Sequence, residues 1–153
     1  MNRIAKFMKI SRQDFNESYY DDIILPKRAT KASAGYDFFI PYDLIINPNE
    51  SVVVKTSIRC EIDESYVLLI FPRSSLGRKY KLTLDNTVGV IDSDYFNADN
   101  EGHIMIMLTN HSDKVLELKK NDRFCQGIFI PYGITVDDDA ENNRTGGFGS
   151  TGK

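Results

Sequence analysis

The residues from Gly89 to Tyr95 (GVIDSDY) have the types and spacing best suited to chemistry. Asp92 is the candidate catalytic residue, because a carboxylate beside the apolar pair Val90 and Ile91 can orient a water molecule and accept its proton. Gly89 has no Cβ and therefore allows a ligand or a second backbone to approach closely. Tyr95 has a flat amphipathic ring that suits packing on a sugar. Taken alone, the stretch favours a simpler interpretation, in which its acidic residues solvate a turn.

A second polar cluster, Arg73, Ser74, Ser75 and Gly77, follows an apolar run that ends at Phe71. Arg73 can bind phosphate oxygens through two parallel hydrogen bonds. The hydroxyl groups of the serines and the backbone amides near Gly77 can donate further hydrogen bonds to an anion. The alternative is a turn in which the same side chains cap their own backbone. The cluster alone does not decide between the two.

Two further polar side chains, Asp37 and Gln126, stand in strand-like surroundings. Asp37 either steadies an arginine, touches the water shell of a metal ion, or caps a strand from a turn. Gln126 lies between apolar residues, where a glutamine is either a buried hydrogen-bond bridge or a donor to a ligand. Buried polar groups are usually hydrogen-bonded within the protein, which favours the bridge.

The C-terminal segment is acidic and then glycine-rich, and a mobile tail is expected from residue 137 because this segment has little to bury. Residues 147–153 match the first part of a P-loop pattern, but an acidic linker stands where a P-loop requires a strand. We reject the P-loop, although glycine-rich backbone amides can still wrap a polyphosphate. Phe148 amid glycines suits stacking on a planar base. The tail side chains that can donate to phosphates are Arg144, Ser150 and Thr151.

Short runs rich in strand-forming residues recur along the chain, separated by turn signals, and no long segment has helical periodicity. This pattern predicts an all-β sandwich or barrel of the jelly-roll kind in residues 1–136, followed by a linker and lid in residues 137–153. An opening strand is expected between Ile4 and Leu25, and residues 26–35 are expected to be an exposed connection. The other predicted strands are Tyr36–Ile40, Ser51–Thr56, Ile58–Ile62, Tyr66–Phe71, Ile104–Thr109, Val115–Leu118 and Phe124–Ile130.

One strand pair is predicted to carry the candidate site. The residues from Lys79 to Val88 alternate and are rich in strand formers. Together with the following stretch from Gly89 to Tyr95 they resemble the two arms of a β-hairpin. A hairpin with an acid and a tyrosine near its tip can line a pocket.

The composition excludes several classes of protein. The chain has 153 residues, of which 41% are hydrophobic and 27% charged, as in a single soluble domain. It has no apolar run as long as a membrane span and no uninterrupted signal core, so we expect a cytoplasmic protein. A net charge of -3 argues against nucleic acid as the main partner. Cys60 and Cys125 are predicted to be buried free thiols, and no Cys/His metal-ligand spacing occurs.

Five segments, taken in order, resemble the five motifs of the trimeric deoxyuridine triphosphatases (dUTPases). The resemblance runs from about Leu25 to Gly152, and five motifs in order make it specific, although each motif alone is weak. It implies a distorted jelly roll that assembles as a homotrimer, with each active site built from three subunits. The segments are Ala34–Asp37, Pro72–Gly77, Gly89–Tyr95, Arg123–Gln126 and Arg144–Gly152.

The resemblance also implies a reaction. Asp92 would hold and deprotonate the water that attacks the α-phosphorus of dUTP, releasing dUMP and pyrophosphate. This reaction limits uracil in DNA and supplies dUMP for thymidylate synthesis. Asn86 and the backbone around Val90 and Ile91 would recognise uracil, in a fit that excludes the thymine methyl group and mismatches the cytosine amino group. Tyr95 would pack on the deoxyribose and leave no room for a ribose 2'-hydroxyl.

The other implied roles concern the phosphates and the tail. Mg2+ would bind the triphosphate itself, with water completing its shell and no direct protein ligand. The metal and the arginines would neutralise charge on the pyrophosphate leaving group. The tail would close over a neighbouring subunit's site, with Phe148 stacked on uracil. The implied phosphate contacts are Arg73, Ser74, Ser75, Gly77 and Gln126, the implied tail contacts are Arg144, Phe148, Gly149, Ser150 and Thr151, and Asp37 supports them.

The sequence departs from the family pattern in two places. After Tyr95 the family usually continues with Arg-Gly, whereas here the residues from Phe96 to Gly102 resemble a small insertion. This leaves the role of the missing arginine unfilled. In the tail, Arg144 stands one residue nearer Phe148 than in the commonest form, which bears on the contact of Arg144 more than on that of Phe148.

Two alternatives follow from the same resemblance. A dCTP deaminase has a similar fold and an Arg-Ser-Ser-Leu-Gly-Arg stretch, but its deaminating glutamate matches Met107, which can neither accept nor deliver a proton. Some members of the family regulate other proteins by binding them, and the insertion after Tyr95 could form such a surface. The residues that argue for retained catalysis are Asp92, Tyr95, Arg73 and Gln126.

Overall fold

A computed structural model describes residues 2–12, 17–144, 146 and 147 of the chain. These residues form mostly β-structure, with one α-helix, α1 (Ser74–Tyr80), and two 3-10 helices, Tyr20–Asp22 and Ser93–Asn97. The strands are β1 (Ala5–Lys9), β2 (Lys27–Arg28), β3 (Tyr36–Phe39), β4 (Leu44–Ile46), β5 (Ser51–Lys55), β6 (Ile58–Ile62), β7 (Tyr66–Pro72), β8 (Leu82–Leu84), β9 (Gly89–Ile91), β10 (Met105–Asn110), β11 (Leu116–Leu118) and β12 (Arg123–Pro131).

The strands pair antiparallel in four sheets. The largest has the strand order β2-β3-β12-β7-β9, and a second has the order β5-β10-β8. Two smaller sheets pair β1 with β6 and β4 with β11. The long strand β12 lies at the centre of the largest sheet, where Gln126 is opposite Asp37 on one side and Phe71 on the other. The fold thus brings three of the predicted motifs onto neighbouring strands.

Alternating side chains of these strands build one hydrophobic core. In β10, Ile106, Leu108 and Asn110 are buried, whereas the residues between them are partly exposed. This alternation is typical of a strand with one face on a core. Phe38 and Phe124 are fully buried in the same cluster, and each large side chain of this kind contributes about 1.5–3 kcal/mol through burial. The all-β fold predicted from the sequence is confirmed.

Strand positions also agree with the alternation in the sequence. Each of the seven strands predicted with bounds is present, and no end is displaced by more than one residue. The expected opening strand is β1. The sequence did not predict β4, and residues 26–35 are not wholly an exposed connection, because Lys27 and Arg28 of β2 pair with Asp37 and Tyr36. Strands of two or three residues are too short to show a period.

The predicted β-hairpin is wrong in its pairing. β8 pairs with β10 and β9 pairs with β7, so the two arms belong to different sheets. Only a single bridge, between Leu84 and Thr87, closes the turn that connects them. Lys79 and Tyr80, predicted to begin the first arm, lie in α1. Alternation shows which face of a strand is buried but does not select its partner, and here each arm completes a different sheet edge.

Cys60 and Cys125 are both free and buried, as predicted. Burial raises the pKa of the Cys60 thiol to about 12 and raises the pKa of Cys125 as well. Both thiols are therefore protonated and unreactive near neutral pH. In the described part of the chain, no helix is long and apolar enough to cross a membrane.

Buried His103 makes the stability of the fold depend on pH. Its Nε2 accepts a hydrogen bond from the Ser57 amide at 2.9 Å, and burial lowers its pKa from 6.5 to about 4. Above pH 6.5 the stabilisation is complete, because the histidine is neutral in both the folded and the unfolded state. As the pH falls from 6.5 towards 4, only the unfolded state gains the proton, so His103 should lower the free energy of unfolding by about 1.4 kcal/mol per pH unit.

Urea unfolding at pH 7, 6 and 5 tests this dependence. His103→Gln cannot titrate in this range, so its free energy of unfolding should fall less steeply with pH than that of the wild type. Equal slopes for the two proteins would show that His103 does not carry the effect.

Candidate active site

Asp92 stands where β9 ends and the second 3-10 helix begins. Its backbone is extended, and its carbonyl accepts a hydrogen bond from the Tyr95 amide at 3.2 Å. Its side chain is 54% exposed, so the carboxylate is accessible to water. Of its two apolar neighbours, Ile91 is buried, whereas Val90 is 55% exposed. The apolar environment predicted beside Asp92 is therefore wrong for Val90, because successive strand residues point to opposite faces.

Arg144 connects the C-terminal segment to this carboxylate. Its Nη1 donates hydrogen bonds to Asp92 Oδ2 at 3.2 Å and to Asp94 Oδ1 at 3.3 Å. Its guanidinium carbon lies 5.0 Å from the centre of the Tyr95 ring, within range of a cation–π contact. The Arg144 side chain is only 12% exposed, although residues 131–143 are exposed throughout. Arg144 thus holds the described part of the tail beside Asp92 of the same chain.

Tyr95 is buried between Arg144 and the residues that follow Tyr95 in the chain. It is 3% exposed, and burial raises the pKa of its hydroxyl group. The hydroxyl donates a hydrogen bond to the His103 carbonyl at 2.7 Å and accepts one from Asn100 Nδ2 at 2.8 Å. The ring face predicted to pack on a sugar is covered by the Arg144 guanidinium. A sugar could reach this face only after Arg144 moves.

A narrow cleft lies between the sheet that contains β9 and the sheet that contains β10. Its volume is about 20 Å³, enough for a single water molecule. Gly89 forms part of it, and a Cβ there would lie 3.2 Å from Ile70 Cβ and 3.3 Å from Leu84 Cδ2. The nearest protein atoms to this position are therefore those of core side chains, and the approach of a ligand to Gly89 stays a prediction. The lining residues are Ile70, Leu84, Asn86, Gly89, Val90, Ile91, Ile104, Met105, Ile106 and Met107.

The cluster predicted to form a phosphate-binding or self-capping turn is the start of helix α1. The Arg73 amide donates to the Phe124 carbonyl at 3.0 Å, and its side chain does not cap the helix. The Arg73 carbonyl accepts a hydrogen bond from the Gly77 amide at 3.0 Å. That amide is engaged within the helix, so it is not the available donor that the sequence suggested. Ser74 and Ser75 are exposed and can still donate through their hydroxyl groups.

A second hollow, about 450 Å³ in volume, opens beside α1. Arg73 and Ser75 line it together with Arg123 of β12. Asp37 on β3 forms an ion pair with Arg123 at 3.2 Å, and its own side chain is only 14% exposed. Of the alternatives for Asp37, the structure shows the one in which it steadies an arginine. Two guanidinium groups in one hollow provide the charge and the donors that bind phosphate oxygens.

Gln126 lies half-buried on β12, next to a glycine that leaves room for it. A Cβ at Gly35 would stand 2.7 Å from Gln126 Oε1. A side chain at Gly35 would therefore displace Gln126 from its present position. The contact of Gln126 with a phosphate stays a prediction.

The two hollows share no lining residue. The candidate residues for the base, such as Asn86, line the cleft, whereas Arg73 and Ser75 line the hollow beside α1. In the described part of a single chain, neither hollow contains both sets. The remaining predicted tail residues, which lie outside the described residues, are Phe148, Gly149, Ser150 and Thr151.

Comparison with known proteins assigns the family. Residues 21–152 match the model of the dUTPase family. The chain is also 41% identical, over 133 residues, to a deoxyuridine 5'-triphosphate nucleotidohydrolase from Lactococcus lactis subsp. lactis, covering 85% of this chain and 89% of that protein. This chain belongs to the dUTPase family. The crystal structure of a dUTPase from Streptococcus mutans matches with a TM-score of 0.72 and 38% identity, over 86% of this chain and 98% of that one.

The likeness of fold extends to distant dUTPases. The dUTPase from phage phi11 of S. aureus matches with a TM-score of 0.70 at 20% identity, over 92% of this chain and 97% of that chain. At this identity the match concerns the fold alone. The distorted jelly roll that the resemblance implied is thus the fold of this dUTPase family member.

Sequence reasoning missed three side chains of this dUTPase site. Asp94 holds Arg144 together with Asp92, and Arg123 lies beside Arg73. Both missed residues stand inside the motifs, so the motifs themselves contained the signal. Asn100 is different, because it stands in the apparent insertion, and its contact with Tyr95 is visible only in three dimensions.

Gly35→Ala should weaken dUTPase turnover without weakening the fold. The added Cβ displaces the end of the Gln126 side chain, which is flexible, whereas the backbone around Gly35 has no other close contact. Losing one hydrogen bond to a charged phosphate should lower kcat/KM by about tenfold or more. Gln126→Ala removes the same amide directly and should lower kcat/KM by a similar factor, while urea unfolding of Gly35→Ala should match that of the wild type. A wild-type rate for both variants would argue against a phosphate contact of Gln126.

Proposed function

We propose that this protein hydrolyses dUTP to dUMP and pyrophosphate, with Asp92 as the base. Membership of the dUTPase family supports the reaction, and the relatives it matches are named deoxyuridine 5'-triphosphate nucleotidohydrolases. The observation that carries the proposal is the position of Asp92, which is half exposed, hydrogen-bonded to Arg144, and adjacent in sequence to the residues of the narrow cleft.

Asp92 accepts a proton from a water molecule that attacks the α-phosphorus. The bond between the α-phosphorus and the oxygen that bridges to the β-phosphorus breaks, and pyrophosphate leaves. Before substrate binds, Arg144 occupies Asp92 Oδ2. Phosphate oxygens compete with Asp92 for this guanidinium, so binding of the triphosphate frees the carboxylate to act on water.

The cleft beside β9 selects the base, which lies at its mouth and widens it, because about 20 Å³ holds only a single water molecule. Asn86 lies at the turn between the two sheets and offers an amide that can pair with a uracil edge. The cleft is narrow, so an added methyl group meets the apolar side chains around it. Tyr95 presents its ring to the sugar once Arg144 moves to the phosphates. Met107 lines the same cleft, and a thioether cannot transfer the proton that deamination requires.

The hollow beside α1 binds the phosphates through Arg73 and Ser75, which line it. The hydroxyl group of the neighbouring Ser74 and the amide of Gln126 on β12 add further donors. The phosphate oxygens of the substrate would hold Mg2+, which would supply positive charge for the leaving pyrophosphate. The side chains of Asp92 and Asp94, both about half exposed, can accept hydrogen bonds from water molecules around the ion.

A homotrimer joins the two hollows into shared sites. Two observations support this part of the proposal. The base and phosphate residues line separate hollows in one chain. In addition, the C-terminal end of β12 and the segment after it expose alternate apolar side chains, a pattern that suits a strand packing on another subunit. These side chains are Ile130, Tyr132, Ile134 and Val136, which are 37%, 52%, 75% and 109% exposed.

Complementation tests the shared site directly. Asp92→Asn and Arg73→Ala subunits should each be inactive alone, yet mixed trimers should regain activity. Regain is expected because some sites then combine a native Asp92 from one subunit with a native Arg73 from another. Sedimentation confirms the trimer in each sample, and no regain in mixed trimers would show that both residues act in one chain.

The reaction is tested by measuring pyrophosphate release with Mg2+ from dUTP, dCTP, dTTP and UTP side by side. Release from dUTP alone is expected. Ammonia release from dCTP would instead support the deaminase alternative, and no release from any nucleotide would support a regulatory, protein-binding role. The buried free thiols fit a reducing compartment, so we place the enzyme in the cytoplasm.

A further inference from the structure

The apparent insertion, Phe96–Gly102, is built closely against Tyr95. The Ala98 amide donates to the Tyr95 carbonyl at 3.1 Å, and Ala98 is buried. Gly102 has a φ of +70°, and a Cβ there would lie 2.6 Å from Tyr95 O. Only glycine permits so close an approach to the backbone. The insertion is thus fitted to the tyrosine that precedes it.

Asn100 provides the side-chain contact between the insertion and Tyr95. Its Nδ2 donates a hydrogen bond to the Tyr95 hydroxyl at 2.8 Å, and its Oδ1 accepts one from the Gly102 amide at 3.2 Å. The Tyr95 hydroxyl uses its single proton to bond the His103 carbonyl. Asn100 and His103 therefore hold the hydroxyl from two directions and fix the position of the far end of the ring.

The far side of the insertion is anchored to β6 and to Ser11, which follows β1. The Arg59 guanidinium carbon of β6 lies 3.6 Å from the centre of the Phe96 ring, and its Nη2 donates to the Phe96 carbonyl at 2.5 Å. Glu101 pairs with Arg59 at 3.6 Å and accepts a hydrogen bond from the Ser11 amide at 3.0 Å. Both charged side chains are at most a quarter exposed. The insertion is therefore held in one position. A residue that orients another side chain must itself be fixed in this way.

The tail also packs on Asn100. A Cβ at Gly147 would come within 3.0 Å of Asn100 Cγ and Nδ2, and Arg144, three residues earlier, lies over the Tyr95 ring. Asn100 thus touches both the tyrosine and the segment that covers it. A substitution at Asn100 therefore alters its contact with Tyr95 and also its contact with Gly147.

We propose that Asn100 is a positioning residue that holds the Tyr95 ring in place for the sugar. The proposal rests on the function proposed above. A ring released from Asn100 can tilt away from the sugar, which lowers the rate for dUTP and weakens the rejection of the 2'-hydroxyl of UTP. The insertion then serves catalysis rather than a protein partner.

The test compares Asn100→Asp with Asn97→Asp. Asn100→Asp keeps the acceptor for the Gly102 amide but removes the donor to Tyr95, whereas Asn97→Asp adds the same charge to an exposed position on the same insertion. For Asn100→Asp we expect kcat/KM for dUTP to fall about tenfold. The value for UTP should fall less, so kcat/KM for dUTP divided by kcat/KM for UTP should decrease. Asn97→Asp should keep the wild-type ratio. If Asn100→Asp does not fold, neutral Asn100→Ser gives the same comparison.

A cycle with Tyr95→Phe separates positioning from a merely structural role. If Asn100 acts through the Tyr95 hydroxyl, the Asn100 variant should cause no further loss once that hydroxyl is absent. Losses that multiply, or an unchanged ratio of dUTP to UTP in the Asn100 variant of an active enzyme, would overturn the proposal. A wild-type protein that does not hydrolyse dUTP would instead overturn the proposed function, and this inference with it.

Discussion

Asp92→Asn should lower kcat for dUTP by about 10²- to 10⁴-fold, the range that a positioned general base contributes. The amide has the shape of the carboxylate but cannot accept the proton of the attacking water. It retains an oxygen that can accept the hydrogen bond from Arg144. The affinity for dUTP, measured by titration calorimetry, should therefore change little while single-turnover hydrolysis slows.

Asp94→Asn is the matched control for this substitution. Asp94 binds the same Nη1 of Arg144 and is 56% exposed, against 54% for Asp92. Both substitutions remove one negative charge beside Arg144, but only Asp92 is assigned to the attacking water. We expect the Asp94 variant to lose less than about tenfold, the effect of weakening one exposed charged pair. Equal losses for the two variants would mean that both act through Arg144 and that Asp92 is not the base.

Removal of residues 137–153 should lower kcat/KM by about 10²-fold or more, because the substrate loses a positioning segment and Arg144 with it. Truncation after Val136 keeps the apolar side chains from Ile130 to Val136 that we assign to subunit contact. Sedimentation should therefore still show the trimer. A wild-type rate for the truncated enzyme would show that the tail does not contribute to catalysis.

Arg144→Lys in the full-length chain tests which part of the tail accounts for the loss of kcat/KM. Lysine keeps the charge but lacks the planar fork that bonds Asp92 and stacks on Tyr95. If the guanidinium is what the tail contributes, this variant should lose most of what truncation loses. A rate near that of the wild type would assign the effect to the glycine-rich residues beyond Arg144.

The sequence was sufficient for the parts of the fold that have a local signature. Both β10 and the long strand β12 were located as short runs rich in strand-forming residues. The pairing of β8 and β9 could not be obtained in this way, because partner choice depends on residues distant in sequence. The two-residue strand β2 has no signature of its own and forms because β3 offers an edge.

The candidate site was likewise predicted from the sequence only in part. The resemblance assigned Asp92, Tyr95 and Arg144 to the active site but placed Arg144 over a neighbouring subunit, whereas the structure brings the three together within one chain. The motifs did not show that Arg144 covers the Tyr95 ring, nor that Asn100 supports its hydroxyl. Those contacts are set by side-chain packing across the apparent insertion. Spacing in a motif identifies participants, whereas their mutual distances come from the whole fold.

The separation of β8 from β9 has a thermodynamic consequence for the enzyme. The narrow cleft lies across the seam between the two larger sheets, with Leu84 and Met107 on one side and Ile70 and Ile91 on the other. A base that occupies the cleft contacts both sheets, so its binding free energy stabilises the native state. Nucleotide binding and folding are thereby linked, so a bound nucleotide should raise the free energy of unfolding.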